Sequence, residues 1–209
     1  MTKKPEDISE EYWQGLSADH QKLYGLVRML PAPVYTVDWH IGSLERTLSG
    51  IQDDMAQANG TFELEPDFQR GHVWTDEQRV AYVEAVIRKT APTRLLFNCP
   101  GWSRNSRPSG DIPDNTFQCI DGLQRLTSMR QFLAGKFTVF GGESVETLKG
   151  SPFDLGRYRL QMAVYEFNMR ADLLQFYIDL NAGGTVHAQT EIDRVRSLIH
   201  DSKQACATE

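Results

Sequence analysis

One turn of this chain, residues 121–125, joins an apolar strand pattern directly to a helical pattern. Residues 117–120 read Phe-Gln-Cys-Ile, and apolar residues then recur at helical spacing after the turn. Gly122 lets the backbone bend sharply between the two elements. Because a helix start offers N–H groups to an anion and Arg125 carries a fork of donors, the turn is typical of a phosphate site. The alternative is an ordinary strand-to-helix turn, with Asp121 as the cap and Arg125 paired at the surface.

A second polar cluster precedes another helical pattern. Gln69 and Arg70 are followed by Trp74, and Thr75 with Gln78 has the spacing of a capping box at a helix start. The cluster is therefore expected on a loop that leads into a helix. The alternative roles are packing of Trp74 on the core and a salt bridge from Arg70, and packing suits Trp74 better than it suits the Gln-Arg pair.

A third cluster follows a helical pattern over residues 171–180. Asn181 is succeeded by Ala, Gly, Gly and Thr, and the glycine pair indicates a tight turn. Asn181 is either the cap that ends the helix or a side chain that closes a binding site from another side. The sequence leaves both roles open.

The three clusters, in this order, resemble the motifs of the N-terminal domain of GmrSD-type restriction endonucleases, a branch of the ParB/sulfiredoxin-like fold. That family carries QR-x-x-x-W, Asp-Gly-Gln-Gln-Arg and Asn-x-Gly-Gly segments, and Leu123 stands here where the first Gln of the second motif is usual. The resemblance implies an α+β fold, with a small mixed sheet packed with helices in a single domain. We expect this nucleotide-binding domain over residues 41–200, after an N-terminal helical extension (1–40) and before a frayed tail (201–209).

The remaining patterns place helices and strands around the three clusters. Helices are expected over 8–30, with an interruption near Gly15, over 41–51, closing near Asn59-Gly60, and over 192–199; strands are expected at 62–64, 94–97, 137–140 and 158–165.

The resemblance also implies a site that handles a nucleoside triphosphate, ATP or another NTP, together with Mg²⁺. Arg70 and Arg125 would bind the phosphates, and Asp121 would hold Mg²⁺ or act as the base. Glu77 and Glu166 are the next candidates for the base, after Asp121. The nucleotide-binding set is Gln69, Arg70, Trp74, Gly122, Arg125 and Asn181, and the catalytic set is Asp121, Gln124 and Arg125.

Three classes of function fit this site. The first is an enzyme of NTP hydrolysis or phosphoryl transfer, a kinase for example, that acts on or with DNA. The second is a nuclease or restriction-system component switched by the nucleotide. The third is a non-catalytic nucleotide sensor or adaptor in phage–host conflict. Full-length relatives usually add an HNH nuclease domain, which is not recognisable in this sequence, so an effector protein partner is a further expectation.

Charge and cysteine content limit the partners and the cellular compartment that we expect. The formal net charge is −6 and the pI about 5.4, so a globally basic surface for nucleic acid is excluded, although a local basic groove is not. The three cysteines show no metal-ligand spacing and suit a reducing compartment. No apolar run is long enough for a membrane span, and we expect a cytoplasmic protein.

Overall fold

The computed structural model describes residues 4–5, 8–27, 29–69, 71, 73–103, 110–181 and 189–206. The chain divides into two compact units, an N-terminal unit (Met1–Ala32) and a sheet unit (Pro33–Glu209). Within the described ranges, every helix is too short or too polar to cross a membrane.

The N-terminal unit is a pair of short helices, α1 (Glu10–Gly15) and α2 (Ala18–Val27). The Ser9 hydroxyl caps α1 by accepting from the backbone N–H of Tyr12. The interruption predicted near Gly15 is confirmed.

The sheet unit is built on a mixed five-stranded sheet. The strand order is β1-β5-β3-β4-β2, in which β2–β4 and β3–β5 are parallel pairs, whereas β1–β5 and β3–β4 are antiparallel. This mixed sheet with helices confirms the predicted α+β class, while the ParB/sulfiredoxin-like topology stays a prediction. The strands are β1 (Tyr35–His40), β2 (Thr61–Glu63), β3 (Arg94–Asn98), β4 (Thr116–Asp121) and β5 (Arg159–Tyr165).

Helices cover the sheet on both faces. Their bounds are α3 (Leu44–Gln57), α4 (Asp76–Ile87), α5 (Leu123–Leu133), α6 (Val145–Leu148), α7 (Arg170–Asn181) and α8 (Gln189–Cys206). The capping box predicted for Thr75 and Gln78 is present at the start of α4, with both reciprocal hydrogen bonds. It fixes the residue at which the preceding loop becomes helical, directly after Trp74.

Alternation along the strands separates two hydrophobic cores. On β4, Phe117 and Cys119 pack into the core shared with α3, α4 and α5, whereas Ile120 packs into the core shared with α7 and α8. β4 is therefore buried on both faces, and Asp121 is its last residue, at the end where α5 begins.

Three elements differ from expectation. Residues 137–140 do not form the predicted strand, because Phe140 and the two glycines after it take positive φ angles and leave only a single bridge between Val139 and Glu143. Residues 35–40, placed in the extension by the sequence, form the strand β1 of the sheet. The terminal helix continues to Cys206, past the start of the expected frayed tail.

Candidate functional site

The turn between β4 and α5 depends on Gly122. Its φ is +106°, and a Cβ built there would lie 2.5 Å from Cδ2 of Leu95 and 3.3 Å from Nη2 of Arg125. Only glycine fits this conformation and this close approach. The first helical hydrogen bond runs from Leu126 N–H to the Gly122 carbonyl at 2.8 Å, and no side chain of the described residues caps the helix. The turn therefore directs the start of α5 to the end of β4, as the sequence predicts.

An ion pair occupies this turn. Nη2 of Arg125 donates to Oδ2 of Asp121, and the two side chains are 17% and 38% exposed. Since a guanidinium has five N–H donors, a carboxylate and a second anion can bind it together. The pair holds the Arg125 side chain at the helix start, and the carboxylate is the more accessible partner.

Gln124 connects the turn to the Gln69–Trp74 segment. Its Nε2 donates to the Gly71 carbonyl at 2.7 Å, and its Oε1 accepts from the Trp74 backbone N–H at 3.3 Å. One side-chain amide thus binds two backbone groups of the loop that precedes α4. The first and second predicted clusters are therefore neighbours in space, although about fifty residues separate them.

Gln69 makes a second connection between the same segments. Its Nε2 donates to the Cys119 carbonyl at 2.7 Å, two residues before Asp121. The Cys119 thiol beneath is fully enclosed, and this burial raises its pKa to about 12. Gln69 and Gln124 together fix both ends of the loop against β4 and α5.

Trp74 lies against the core side of the site. Its half-buried ring is 5.3 Å from the Tyr82 ring, centroid to centroid, and packs onto the α3–α5 core. The Tyr82 hydroxyl donates to the Pro92 carbonyl at 3.0 Å, and burial raises the pKa of Tyr82 to about 12. In this structure Trp74 serves as a packed wall, and stacking on a base stays a prediction.

Asn181 ends helix α7. Its Nδ2 donates to the Tyr177 carbonyl, one turn earlier, at 2.7 Å. The Tyr177 ring packs edge-to-face on Phe68, next to Gln69, with the centroids 5.3 Å apart. Both roles considered for Asn181, the helix cap and the binding residue, stay predictions. Arg70 and the glycine pair of the third cluster lie outside the described residues.

Glu77 and Glu166, the other two candidate bases, differ from Asp121 in position and environment. Glu77 is fully exposed in the first turn of α4, and a hydrogen bond from the Thr75 side chain lowers its pKa, which weakens it as a base. Glu166 follows β5 at the opposite end of the sheet, because β5 is parallel to β3 and β3 is antiparallel to β4. There it accepts from the Ser103 N–H at 2.6 Å and from the Ser103 hydroxyl at 3.0 Å. Glu166 is thus not placed beside Asp121.

Sequence reasoning missed two arginines that bind the residues just before Gln69. Arg170 pairs with both carboxylate oxygens of Asp67, at 2.8 and 2.6 Å, and Arg194 donates to the carbonyls of Asp67 and Phe68, each at 2.8 Å. These partners are separated by more than one hundred residues. No spacing rule could have joined them.

A groove also runs along α5. It encloses about 370 Å³ and has Leu123 and Leu126 in its lining. Arg130 crosses it to Glu45 of α3, with Nε and Nη2 at 2.5 and 2.9 Å from the two carboxylate oxygens, and this bond raises the pKa of Arg130. The groove lining includes Gln131, two turns after Gln124 on α5, but not Gln124 itself.

No group of three or more His, Cys, Asp and Glu side chains converges within the described ranges. Asp121 is a single carboxylate at the turn. That arrangement suits Mg²⁺ bound chiefly through phosphate oxygens, since such ions take one or two protein carboxylates.

Comparison with known proteins gives one family. The family model described as "GmrSD restriction endonuclease, N-terminal domain" matches residues 48–198. No curated protein and no solved structure matches this sequence. The matched range covers most of the chain and includes all three clusters.

Proposed function

Because the chain belongs to the GmrSD restriction endonuclease N-terminal domain family, we propose that it is a restriction-system component that binds a nucleoside triphosphate at the β4–α5 turn. The observation that carries this proposal is the pair of hydrogen bonds of the Gln124 amide, which donates to the Gly71 carbonyl and accepts from the Trp74 N–H. A single amide holds the loop that leads into α4 beside the first turn of α5. A ligand at the turn would therefore touch both motif segments.

The turn has the chemistry of a phosphate site. The backbone N–H groups of residues 123–125 precede the first helical hydrogen bond of α5. The Leu123 N–H is directed to the buried Cys119 thiol, so the N–H groups of Gln124 and Arg125 are the two left for an anion, which the positive end of the helix favours there. Arg125 adds a charge-assisted donor at the same point. Gly122 matters because a side chain at that position would occupy the space against Leu95 and Arg125.

Asp121 is the residue to which we assign the reaction. Its carboxylate ends β4 at the turn and is 38% exposed, so it is accessible to water beside a bound phosphate. A carboxylate so placed can orient an attacking oxygen, or share a Mg²⁺ that the nucleotide brings with it. Hydrolysis of the nucleotide, used to switch a restriction activity, is the reaction that we propose. Transfer of phosphate to DNA is the second candidate, since the same carboxylate could accept a hydroxyl proton.

The first test is nucleotide binding and turnover by the full chain. ATP, GTP, CTP and UTP, each with Mg²⁺, are titrated into the protein by calorimetry, and γ-labelled forms are then incubated with plain and hydroxymethylated DNA. Released phosphate supports hydrolysis, label on the DNA supports the kinase, and DNA cutting under the same conditions supports a nuclease. Absence of binding for all four nucleotides overturns the proposed site.

Arg125→Ala and Arg130→Ala form a matched pair for this test. Both arginines lie on α5, and both pair with a carboxylate, but only Arg125 is at the helix start. We expect Arg125→Ala to weaken nucleotide binding about tenfold to a hundredfold, as the loss of a charge-assisted hydrogen bond predicts. Arg130→Ala should bind as the wild type does. Equal affinities for the two variants would remove Arg125 from the site.

A further inference from the structure

Two arginines of the C-terminal helices bind the residues that lead into the Gln69–Trp74 loop. Arg170 is the first residue of α7, and Arg194 lies in the second turn of α8. Both contact Asp67: Arg170 binds the Asp67 carboxylate, and Arg194 binds the Asp67 carbonyl. We propose that Arg194, supported by Arg170, is a positioning residue that sets the conformation of this loop and, through it, nucleotide affinity.

Arg194 binds backbone groups of Asp67 and Phe68 rather than their side chains. Nη1 of Arg194 binds the Asp67 carbonyl and Nη2 binds the Phe68 carbonyl, so one planar guanidinium holds two successive peptide groups. Such a fork restrains the orientation of the peptide plane just before Gln69. The Gln69 amide then reaches the Cys119 carbonyl of β4 from that restrained position.

The Asp67 carboxylate is held from a second direction. Nη2 of Arg170 binds both of its oxygens, and the backbone N–H of Arg170 donates to Oδ1 of Asp111 at 2.6 Å. Phe68 follows Asp67, and its side chain is fully buried in the core formed with α7 and α8. The loop is therefore restrained at its start by α7 and α8 and further along by Gln124.

The two arginines flank the third motif in sequence. α7 ends at Asn181, the first residue of that motif, and α8 follows it. A ligand that binds the first motif segment would therefore also be coupled, through Arg170 and Arg194, to the helices on either side of the third motif. This inference deepens the proposed nucleotide site and rests on it for its effect on affinity, whereas its effect on the loop can be tested without a nucleotide.

The test uses the full chain labelled with 5-fluorotryptophan. The protein has four tryptophans, and a Trp74→Phe variant identifies the ¹⁹F resonance of Trp74, which reports the loop. Arg194→Ala should shift or broaden that resonance and leave in place the Trp39 resonance, which a Trp39→Phe variant identifies. The substitution removes an exposed side chain, so the core is untouched and the variant should fold. An unchanged Trp74 resonance overturns the proposal.

Arg196→Ala is the control, because Arg196 lies on the same helix and pairs only within it, with Asp193 at 3.5 Å among the described contacts. Affinity is then measured with ATP, GTP, CTP and UTP, each with Mg²⁺. We expect Arg194→Ala to lose about tenfold, Arg194→Lys to recover part of the loss through one hydrogen bond, and Arg196→Ala to lose nothing. Unchanged affinity in Arg194→Ala overturns the coupling to the site. If the wild type binds none of the four, the proposed function and the coupling fail together, while the Trp74 resonance still decides whether Arg194 sets the loop.

Discussion

Removal of the Gln124 amide tests whether one side chain holds the two motif segments together. In Gln124→Ala, the Gly71 carbonyl loses its donor and the Trp74 N–H loses its acceptor. Each such hydrogen bond contributes about 0.5–1.5 kcal/mol, so the free energy for local opening of the loop should fall by roughly 1–3 kcal/mol. Global stability should change less, because the capping box of α4 and the packing of Trp74 on Tyr82 remain.

Amide hydrogen exchange measures this opening directly, since the Trp74 N–H is itself one of the donors. A loss of about 1–3 kcal/mol corresponds to exchange that is roughly fivefold to a hundredfold faster at Trp74. Amides in the middle of α5 should exchange as in the wild type. Gln131→Ala, two turns further along α5 and facing the groove, is the control and should leave Trp74 exchange unchanged.

Gln124→Glu separates the two hydrogen bonds. The carboxylate can still accept from the Trp74 N–H, but it places an acceptor opposite the Gly71 carbonyl, where the wild type has a donor. Exchange at Trp74 should therefore rise less than in Gln124→Ala. Trp74 exchange at the wild-type rate in Gln124→Ala would refute the argument, because it would mean that other contacts hold the loop.

Two further predictions concern the same turn and the core beneath it. Gly122→Ala should lower the free energy of unfolding by about 1–3 kcal/mol in urea titrations, because φ is +106° and the added Cβ meets Leu95, whereas Gly50→Ala, in open space within α3, should be neutral or stabilising. In a Cys206→Ser background, Cys99 and Cys119 should resist a thiol reagent at pH 8 until the protein is unfolded, since burial raises their pKa values to about 11 and 12 and leaves under about one thiolate in a thousand. Rapid reaction of the folded protein would contradict the burial of both thiols.

Local patterns predicted the elements that carry the motifs. The capping box at Thr75, the glycine turn at Gly122 and the apolar strand before it each depend on a few adjacent residues, and the structure contains all three. The 137–140 strand failed because propensity for a strand was outweighed by the left-handed turn at Phe140 and the two glycines after it. Strand pairing in β1 needed knowledge of β5, more than one hundred residues away.

The contacts of Gln69 and Gln124 were harder to predict than the elements that carry them. The sequence placed Gln69 with the nucleotide-binding residues and Gln124 with the catalytic ones, because an amide can position a nucleophile or a phosphate oxygen. In the structure both amides hold backbone carbonyls, of Cys119 and Gly71 respectively. An amide has the same chemistry in either role, so only the position of its partner decides between them, and that position depends on contacts about fifty residues apart.

The departure of Leu123 from the family motif can be interpreted from these contacts. Leu123 is 4% exposed and packs in the core with Leu126 of the same helix, so an apolar side chain is stable there without a hydrogen-bond partner. The amide that bridges the two segments belongs to Gln124, the next residue, which points to the loop instead of the core. The substitution therefore leaves in place the contact on which the proposed site depends. Since Asp121 and Arg125 are also retained as a pair, position 123 alone gives no reason to regard the site as lost.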